Sequence, residues 1–535
     1  MPLEWPDAIS RLSQGFLGAG LLVAFAVIAA FALAVSQSLM GSKIGSDHPV
    51  HAFLARAIRQ NQHRLFVRIP KLLNTAYCAA LPLYIHWLLS FFQSRAMYWS
   101  ERLLNPGVNT LHVALFAGVA LWATHLQGLP MAFAGLATCL FALTPQFYHA
   151  LSARNFGLSA RGTGLLLLTG FYLTAFATET HHAPALGWVA LVVTGWLVWS
   201  FSTFGQQALV IISLLLLITS GRWIPLAGTA LGLAVFLAVH PTYGRAYLRH
   251  TLKFIQVYAS ELAPIYILNR RHSIWRDLVW DIWAKAKTSG LKNGFRYAYD
   301  NPVLVLVFLN PFVLIASLYT LTAAAPRTGL VAYAGALALA GALAMLLTSF
   351  RATRFLGEPE RYVEVVTPWA VLAGGFAVQD RWGLGALALA ALLFLALNLA
   401  QLMASHILVR YITSKPIKLS EVEQAIGQAI PGEVRCCSNN EQITKMLMQN
   451  DWWFAYCIAV GQDYCGMKVT EAFSVFPYLR REALQRIVTS YRINACVLDR
   501  SLYDTLFDNP PAGLVSCRVG YQSDGLRLLL LQWDK

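Results

Sequence analysis

Carboxylates are nearly missing from the first half of this 535-residue sequence: Glu4, Asp7, Asp47, Glu101 and Glu179 are the only ones before Glu261. Charge of either sign is scarce, at 13% of residues, while 57% are hydrophobic and the mean hydropathy is +0.52. That balance excludes an ordinary soluble protein and fits a chain that crosses a membrane many times. Cysteine is thin before the C-terminal region, where only Cys78 and Cys139 occur, and no C-x-x-C pair exists, so a structural zinc site is not expected. Phosphate-binding glycine loops, nucleophile elbows and zinc-protease helices are absent as well. So are short-period repeats and low-complexity segments.

The apolar material is laid out in runs. They lie near Phe16–Leu39, Leu111–Thr124, Met131–Leu143, Gly164–Ala177, Leu186–Phe201, Leu209–Thr219, Leu226–Val239, Val303–Leu321, Leu330–Leu347, Val365–Val378 and Leu384–Ala404. The first is too long for a removed signal peptide and lacks its small-residue cleavage pattern, so it reads as a retained anchor. Thr75–Phe92 is ambiguous, being long enough to cross but interrupted by Pro82 and His86. If it crosses, there are about twelve spans; if it lies in the interface, about eleven. Eleven places the Asp47, Arg154–Arg161, Pro241–Pro302 and Phe350–Thr367 loops on one face, together with the C-terminal region. The opposite short loops then hold Arg222, Arg327 and Arg381, a modest positive-inside signal. On that consistency the expected fold class is an α-helical polytopic membrane protein of about eleven transmembrane helices with a small soluble α/β C-terminal domain. Residues 1–409 form the membrane domain, with external loops 41–108 and 241–302, and residues 410–535 form the soluble domain.

Within that last region the pattern predicts helices at Leu419–Ala429, Glu441–Met448 and Arg481–Tyr491. Strands are expected at Glu433–Cys437 and Ala495–Leu498, with a terminal hairpin of Leu514–Val519 and Leu526–Trp533. Its cysteines, Cys436, Cys437, Cys457, Cys465, Cys496 and Cys517, are an even set that suggests disulfides if the domain faces an oxidising compartment.

The net charge of +15 gathers in a few loops beside aromatic residues. Anionic lipid head groups and phosphates are the partners this implies, and nucleic acid is not. Asp47 stands in the island Gly45-Ser46-Asp47-His48-Pro49-Val50-His51, followed by Arg56, Arg59, Arg64, Arg68 and Lys71. An isolated acid among cations at a membrane surface suits a general base acting on an anionic substrate. A helix N-cap is the structural alternative, and Pro49 in the first turn fits it. His51 falls on the same helix face as Asp47. No cofactor is required by the sequence, and a divalent cation, magnesium or manganese, is conceivable only at Asp47 with His51.

Three further constellations carry charge. Arg154 and Arg161 flank Asn155–Ala160 after the Thr144-Pro145 helix end, and either border a helix or hold a phosphate. Arg351-Ala352-Thr353-Arg354 runs into Glu358-Pro359-Glu360-Arg361-Tyr362, where an arginine flanked by acids can be oriented for phosphate or can simply pair with them. The Pro241–Pro302 loop combines Arg270 and Arg271 with Trp275, Trp280 and Trp283, as an interfacial helix would.

The layout resembles the GT-C superfamily of membrane glycosyltransferases, with lipid A aminoarabinose transferases and protein O-mannosyltransferases nearest in style. Three features carry the resemblance. They are Asp47 in the first external loop with His51, Pro70 and Leu81–Trp87; Thr144-Pro145 followed by Arg154 and Arg161; and Glu360-Arg361-Tyr362 leading to Pro368. Asp47-His48 stands where many members have paired acids, and the second external loop has no acid. The resemblance implies inverting transfer from a polyprenyl-phosphate sugar to a lipid, glycan or protein on the periplasmic side of a bacterial inner membrane. It makes Asp47 the catalytic base. It makes His48, His51, Arg68, Lys71, Tyr84, His86, Arg154, Arg161, Arg270, Arg271, Arg354, Glu358, Glu360, Arg361 and Tyr362 candidate substrate contacts. A transporter or flippase of an anionic lipid or solute is the alternative, although charges here cluster in loops rather than at mid-membrane.

Overall fold

The computed structural model describes residues 5–534 except 45–47, 66–68, 75–82, 93, 150–159, 181–183, 263–264, 266–279, 281, 292–293, 295–300, 323–328, 351, 414–418, 457–464 and 504. The longer helices begin with α1 (Trp5–Ile44), α2 (His48–Gln60), α3 (Tyr84–Ser90), α4 (Ser94–Leu126), α5 (Met131–Ala142) and α6 (Arg161–Thr180). There follow α7 (Pro184–Phe201), α8 (Thr203–Ser220), α9 (Ile224–Val239), α10 (Pro241–Val257), α11 (Ile282–Ser289) and α12 (Pro311–Thr322). The remainder are α13 (Gly329–Thr348), α14 (Pro359–Thr413), α15 (Leu419–Ala429), α16 (Glu441–Leu447) and α17 (Arg481–Ser490).

The chain divides into two compact units. The first comprises Met1–Ser42, Trp99–Phe236 and Arg271–Val409. Each of the eleven apolar runs read from the sequence falls within helix here, the one near Val303 being broken at Asn310. Among the described residues six helices are long and apolar enough to cross a membrane: Leu17–Met40, Arg102–Leu126, Met131–Tyr148, Thr203–Ser220, Gly329–Thr348 and Pro359–Ile407. Leu17, Ile218 and Met403 are about two-thirds exposed, as side chains facing lipid would be. The protein is an integral membrane protein.

Small residues let these helices approach closely. A Cβ on Gly232 of α9 would lie 2.7 Å from the Gly195 carbonyl carbon of α7. The 55-residue α14 is two helices joined at Gly383, whose φ of 74° a side chain would resist. That bend separates the last two apolar runs. Asn310 ends a π-helical turn, Val305–Leu309, with φ −148° and ψ 57°. Pro311 explains the break, since it disfavours helix in the residue before it and then starts α12. Glu179, one of the few early carboxylates, ends α6 paired with Arg222, whose guanidinium lies 5.0 Å from the Tyr333 ring centroid.

The second unit comprises Lys43–Tyr98, Leu237–Arg270 and Arg410–Lys535. Its larger sheet has the order β2 (Trp453–Phe454), β1 (Arg435–Ser438), β5 (Ala495–Asp499), β7 (Leu526–Trp533), β6 (Leu514–Gln522), and β3 (Phe473–Val475) pairs antiparallel with β4 (Tyr478–Leu479). β1 runs parallel to β2 and β5, whereas β7 is antiparallel to β5 and β6. The core under the sheet joins Leu484, Ile487 and Val488 of α17 to Cys437, Cys496, Leu498 and Leu529. Two distant stretches of chain belong to this unit. Leu262 enters the same core, with Phe254 and Val257 of α10 packed on it. Lys71–Leu73 lies beside β2, where Phe454 N donates to Lys71 O at 2.9 Å and Leu73 N to Phe454 O at 2.8 Å.

The C-terminal helices and strands fall where the sequence pattern puts them, to within a few residues at each end. The disulfides do not form among the described residues. Cys436, Cys437, Cys465, Cys496 and Cys517 are free thiols, and Cys78 and Cys457 lie outside the described residues. Strand geometry gives the reason. Cys436 and Cys437 are consecutive on β1 and so face opposite sides of the sheet. Cys437 is directly opposite Cys496, but their Sγ atoms are 3.9 Å apart, far beyond a disulfide bond length.

Candidate functional site

Functional side chains collect in two places, one in each unit. In the first unit the focus is the start of α14. Glu358 and Arg361 form an ion pair one helical turn apart, with both side chains mostly buried. The Arg361 guanidinium also lies 5.8 Å from the Phe204 ring centroid. Arg161, the first residue of α6, interacts electrostatically with Arg361, Glu358, Glu364 and Glu360. Tyr362 is fully buried and donates its hydroxyl to Leu356 O at 2.6 Å, closing the turn Arg354–Leu356 onto the helix.

A buried amide network holds this helix start. Gln146, in the short 3-10 turn Pro145–Tyr148, donates Nε2 to Glu360 O at 2.7 Å. Its Oε1 accepts from Asn310 Nδ2 at 2.8 Å, and the second Asn310 hydrogen reaches Thr367 Oγ1 at 2.7 Å. Gln146, Asn310 and Thr367 are all at most 1% exposed. Sequence reasoning missed Gln146 and Asn310. The signals available were an amide directly after the Thr144-Pro145 helix end and an Asn-Pro pair inside an apolar run. Two atoms at the helix start remain unsatisfied: Glu360 Oε2 and Arg361 Nε are buried without a hydrogen-bond partner.

In the second unit the focus is the packing of α2 against α3. His51 Nδ1 lies 2.7 Å from His86 Nε2, with the rings stacked at 5.0 Å and 19°. At that distance one of the two imidazole nitrogens donates a hydrogen bond to the other. Surrounding bonds fix α3: Leu83 N donates to Tyr243 Oη at 3.1 Å, Trp87 Nε1 to His63 O at 3.0 Å and Arg59 Nε to Ser90 O at 2.8 Å. The Tyr84 ring meets His240 edge-on at 5.5 Å. Burial moves His240 below the ordinary imidazole value. Arg56 donates to the carbonyls of Gln449 and Met448 beyond the end of α16. Lys71 Nζ pairs with Asp451 Oδ1 at 2.6 Å, and that hydrogen bond holds the Asp451 carboxyl below its usual range.

The remaining candidates divide plainly. Asp47, Arg68, Arg154, Arg270 and Arg271 lie outside the described residues, and only the backbone of Arg354 is described. His48 and His51 share the first turn of α2. Among the described residues no three metal-ligating side chains converge. The facing imidazole nitrogens are a donor set unsuited to magnesium, which takes oxygen ligands.

No protein-family model matches the sequence, and no curated protein does. Solved structures do match. The oligosaccharyltransferase of Archaeoglobus fulgidus in its apo form superposes with a TM-score of 0.51 at 12% identity, over 89% of this chain and 69% of that one. AglB of the same organism, in complex with an inhibitory peptide and a dolichol-phosphate, gives 0.52 at 11% identity, over 93% and 70%. ArnT of Cupriavidus metallidurans bound to undecaprenyl phosphate is more distant, at 0.41 with 14% identity over 95% and 97%. The likeness to the archaeal oligosaccharyltransferase, spanning nearly the whole chain, shows that this protein has the GT-C fold.

Proposed function

We propose that the protein is a membrane glycosyltransferase that moves a sugar, with inversion, from a polyprenyl-phosphate donor to a lipid, glycan or protein acceptor. The periplasmic face of a bacterial inner membrane is the proposed location of the reaction. The observation that carries this reading is the Glu358–Arg361 pair, mostly buried at the head of α14 beside the amide network that bonds Gln146 to Glu360 O and to Asn310, in a chain of this fold. The dolichol-phosphate in the AglB structure supports a lipid-phosphate donor.

The chemistry follows from charge movement. Asp47 takes the proton of the acceptor hydroxyl or amine, which attacks the anomeric carbon from the side opposite the phosphate. The carbon–oxygen bond to phosphate breaks and its electron pair stays on the phosphate oxygen. Negative charge therefore grows on the leaving lipid phosphate, and a guanidinium aimed at it stabilises the transition state more than the ground state. Arg361 has that role, with Arg161 and Arg154 supplying further cations. Glu358 keeps the Arg361 fork oriented, and Glu360 and Glu364 limit the site's positive charge so that product phosphate can leave.

The test is release of polyprenyl phosphate from a labelled polyprenyl-phosphate sugar by purified protein in the presence of acceptor. Arg361→Gln should lower the rate by about 10²–10³ with expression and melting behaviour retained. Unchanged release by that variant would contradict the phosphate role. Donor movement across a vesicle membrane without release would instead favour a flippase.

A further inference from the structure

The α4 helix carries a polar stripe that the sites above leave without a role. Asn105, Asn109 and His112 follow one another at spacings of four and three, hence on one face. All three are buried, at 2%, 2% and 0% exposure, within the candidate span Arg102–Leu126. His112 has a structural explanation. Its Nε2 bonds Thr169 Oγ1 of α6 at 2.7 Å and its ring meets Phe141 edge-on at 4.9 Å.

Asn109 has none. Both its Oδ1 and its Nδ2 are buried with no hydrogen-bond partner. A membrane-helix asparagine that acts as glue between helices bonds across the interface, and this one does not. Polar groups inside a membrane helix without protein partners mark a ligand path. Its neighbourhood points the same way. A Cβ at Gly162 would meet Val108 Cγ1 at 3.6 Å, so this turn of α4 packs on the first turn of α6, the turn that begins with Arg161.

We propose that Asn109 binds the sugar of the lipid-linked donor, its amide donating to one ring hydroxyl and accepting from the neighbouring one. A primary carboxamide offers a donor and an acceptor side by side, the pattern that two adjacent hydroxyls complement. The inference rests on the glycosyltransferase reading and adds a specificity-determining residue to it. Polyprenyl phosphate lacks those hydroxyls, so Asn109 should sense the sugar and ignore the lipid phosphate.

The experiment measures binding of undecaprenyl phosphate and of an undecaprenyl-phosphate hexose to the detergent-solubilised full chain. The wild type should bind the hexose-bearing lipid more tightly. Asn109→Leu should weaken that binding about tenfold, since a pocket built to hydrogen-bond a hydroxyl discriminates through it, and leave undecaprenyl phosphate within about twofold of wild type. Asn109→Thr, smaller and still polar, gives the same comparison where the leucine variant does not fold. Discrimination unaltered in the variants, or both lipids weakened equally, overturns the assignment of Asn109 alone. A wild type that binds neither lipid overturns the glycosyltransferase reading and this inference with it.

Discussion

The head of α14 and the segment around α2 and α3 draw on the same residue types to opposite ends. Around α2 three described cations are tied to protein acceptors: Arg56 to carbonyls beyond α16, Arg59 to Ser90 O and Lys71 to Asp451. Such bonds fasten the second unit together. At α14 the charges offset one another only in part, and Arg361 Nε and Glu360 Oε2 stay buried without partners. Groups left in that state are costly to fold around and are explained best by a ligand or by chemistry. A count of arginines and lysines along the sequence cannot separate the two uses. The bonds each cation makes can.

The contrast can be broken or sharpened from either side. The larger effect is expected at Gln146. Gln146→Leu removes the bond to Glu360 O and leaves Asn310 Nδ2 short of an acceptor, which should cost about 1–3 kcal/mol. Melting of the purified protein reads this directly. A fall in transfer rate beyond that explained by unfolding would show that the network positions Arg361. An unshifted melting point would remove the network from the account.

A smaller effect is expected at Asp451. Its carboxyl is held below the ordinary value by Lys71, so the pair stabilises the fold above the unfolded carboxylate value, near about 3.9, and that contribution is lost as pH falls through the lower folded value. Asp451→Asn should therefore cost less than about 1 kcal/mol at neutral pH and flatten the acid side of the stability profile. Transfer activity should be unchanged. A large loss of activity would mean that Lys71 has a role on substrate and that the two regions differ less than their bonds suggest.

The apolar runs were readable in the sequence because a buried or lipid-facing helix needs no periodicity, only length and hydropathy. Strands β1, β5, β6 and β7 were readable for a similar local reason, alternation bounded by turn residues. Thr75–Phe92 could not be settled that way. Only its part Tyr84–Ser90 is described as helix, and residues 75–82 lie outside the described residues. Long-range partners were also hidden. Nothing near Gln146 announces Glu360, and nothing near Lys71 announces β2, because those pairings join positions hundreds of residues apart. Arg361 and Tyr362 were found from charge density, yet the amides that bond the neighbouring Glu360 O and Thr367 were not, since an isolated Gln or Asn has no local pattern. The cysteines misled because an even count says nothing about which strand faces they occupy.

Sugar transfer in this protein depends, on the proposed mechanism, on Asp47 as the proton acceptor. The most direct test is the rate of polyprenyl phosphate release by purified Asp47→Asn protein, alongside its binding of the undecaprenyl-phosphate hexose. The account predicts a rate lower by about 10²–10⁴ with binding retained; release at the wild-type rate would contradict it.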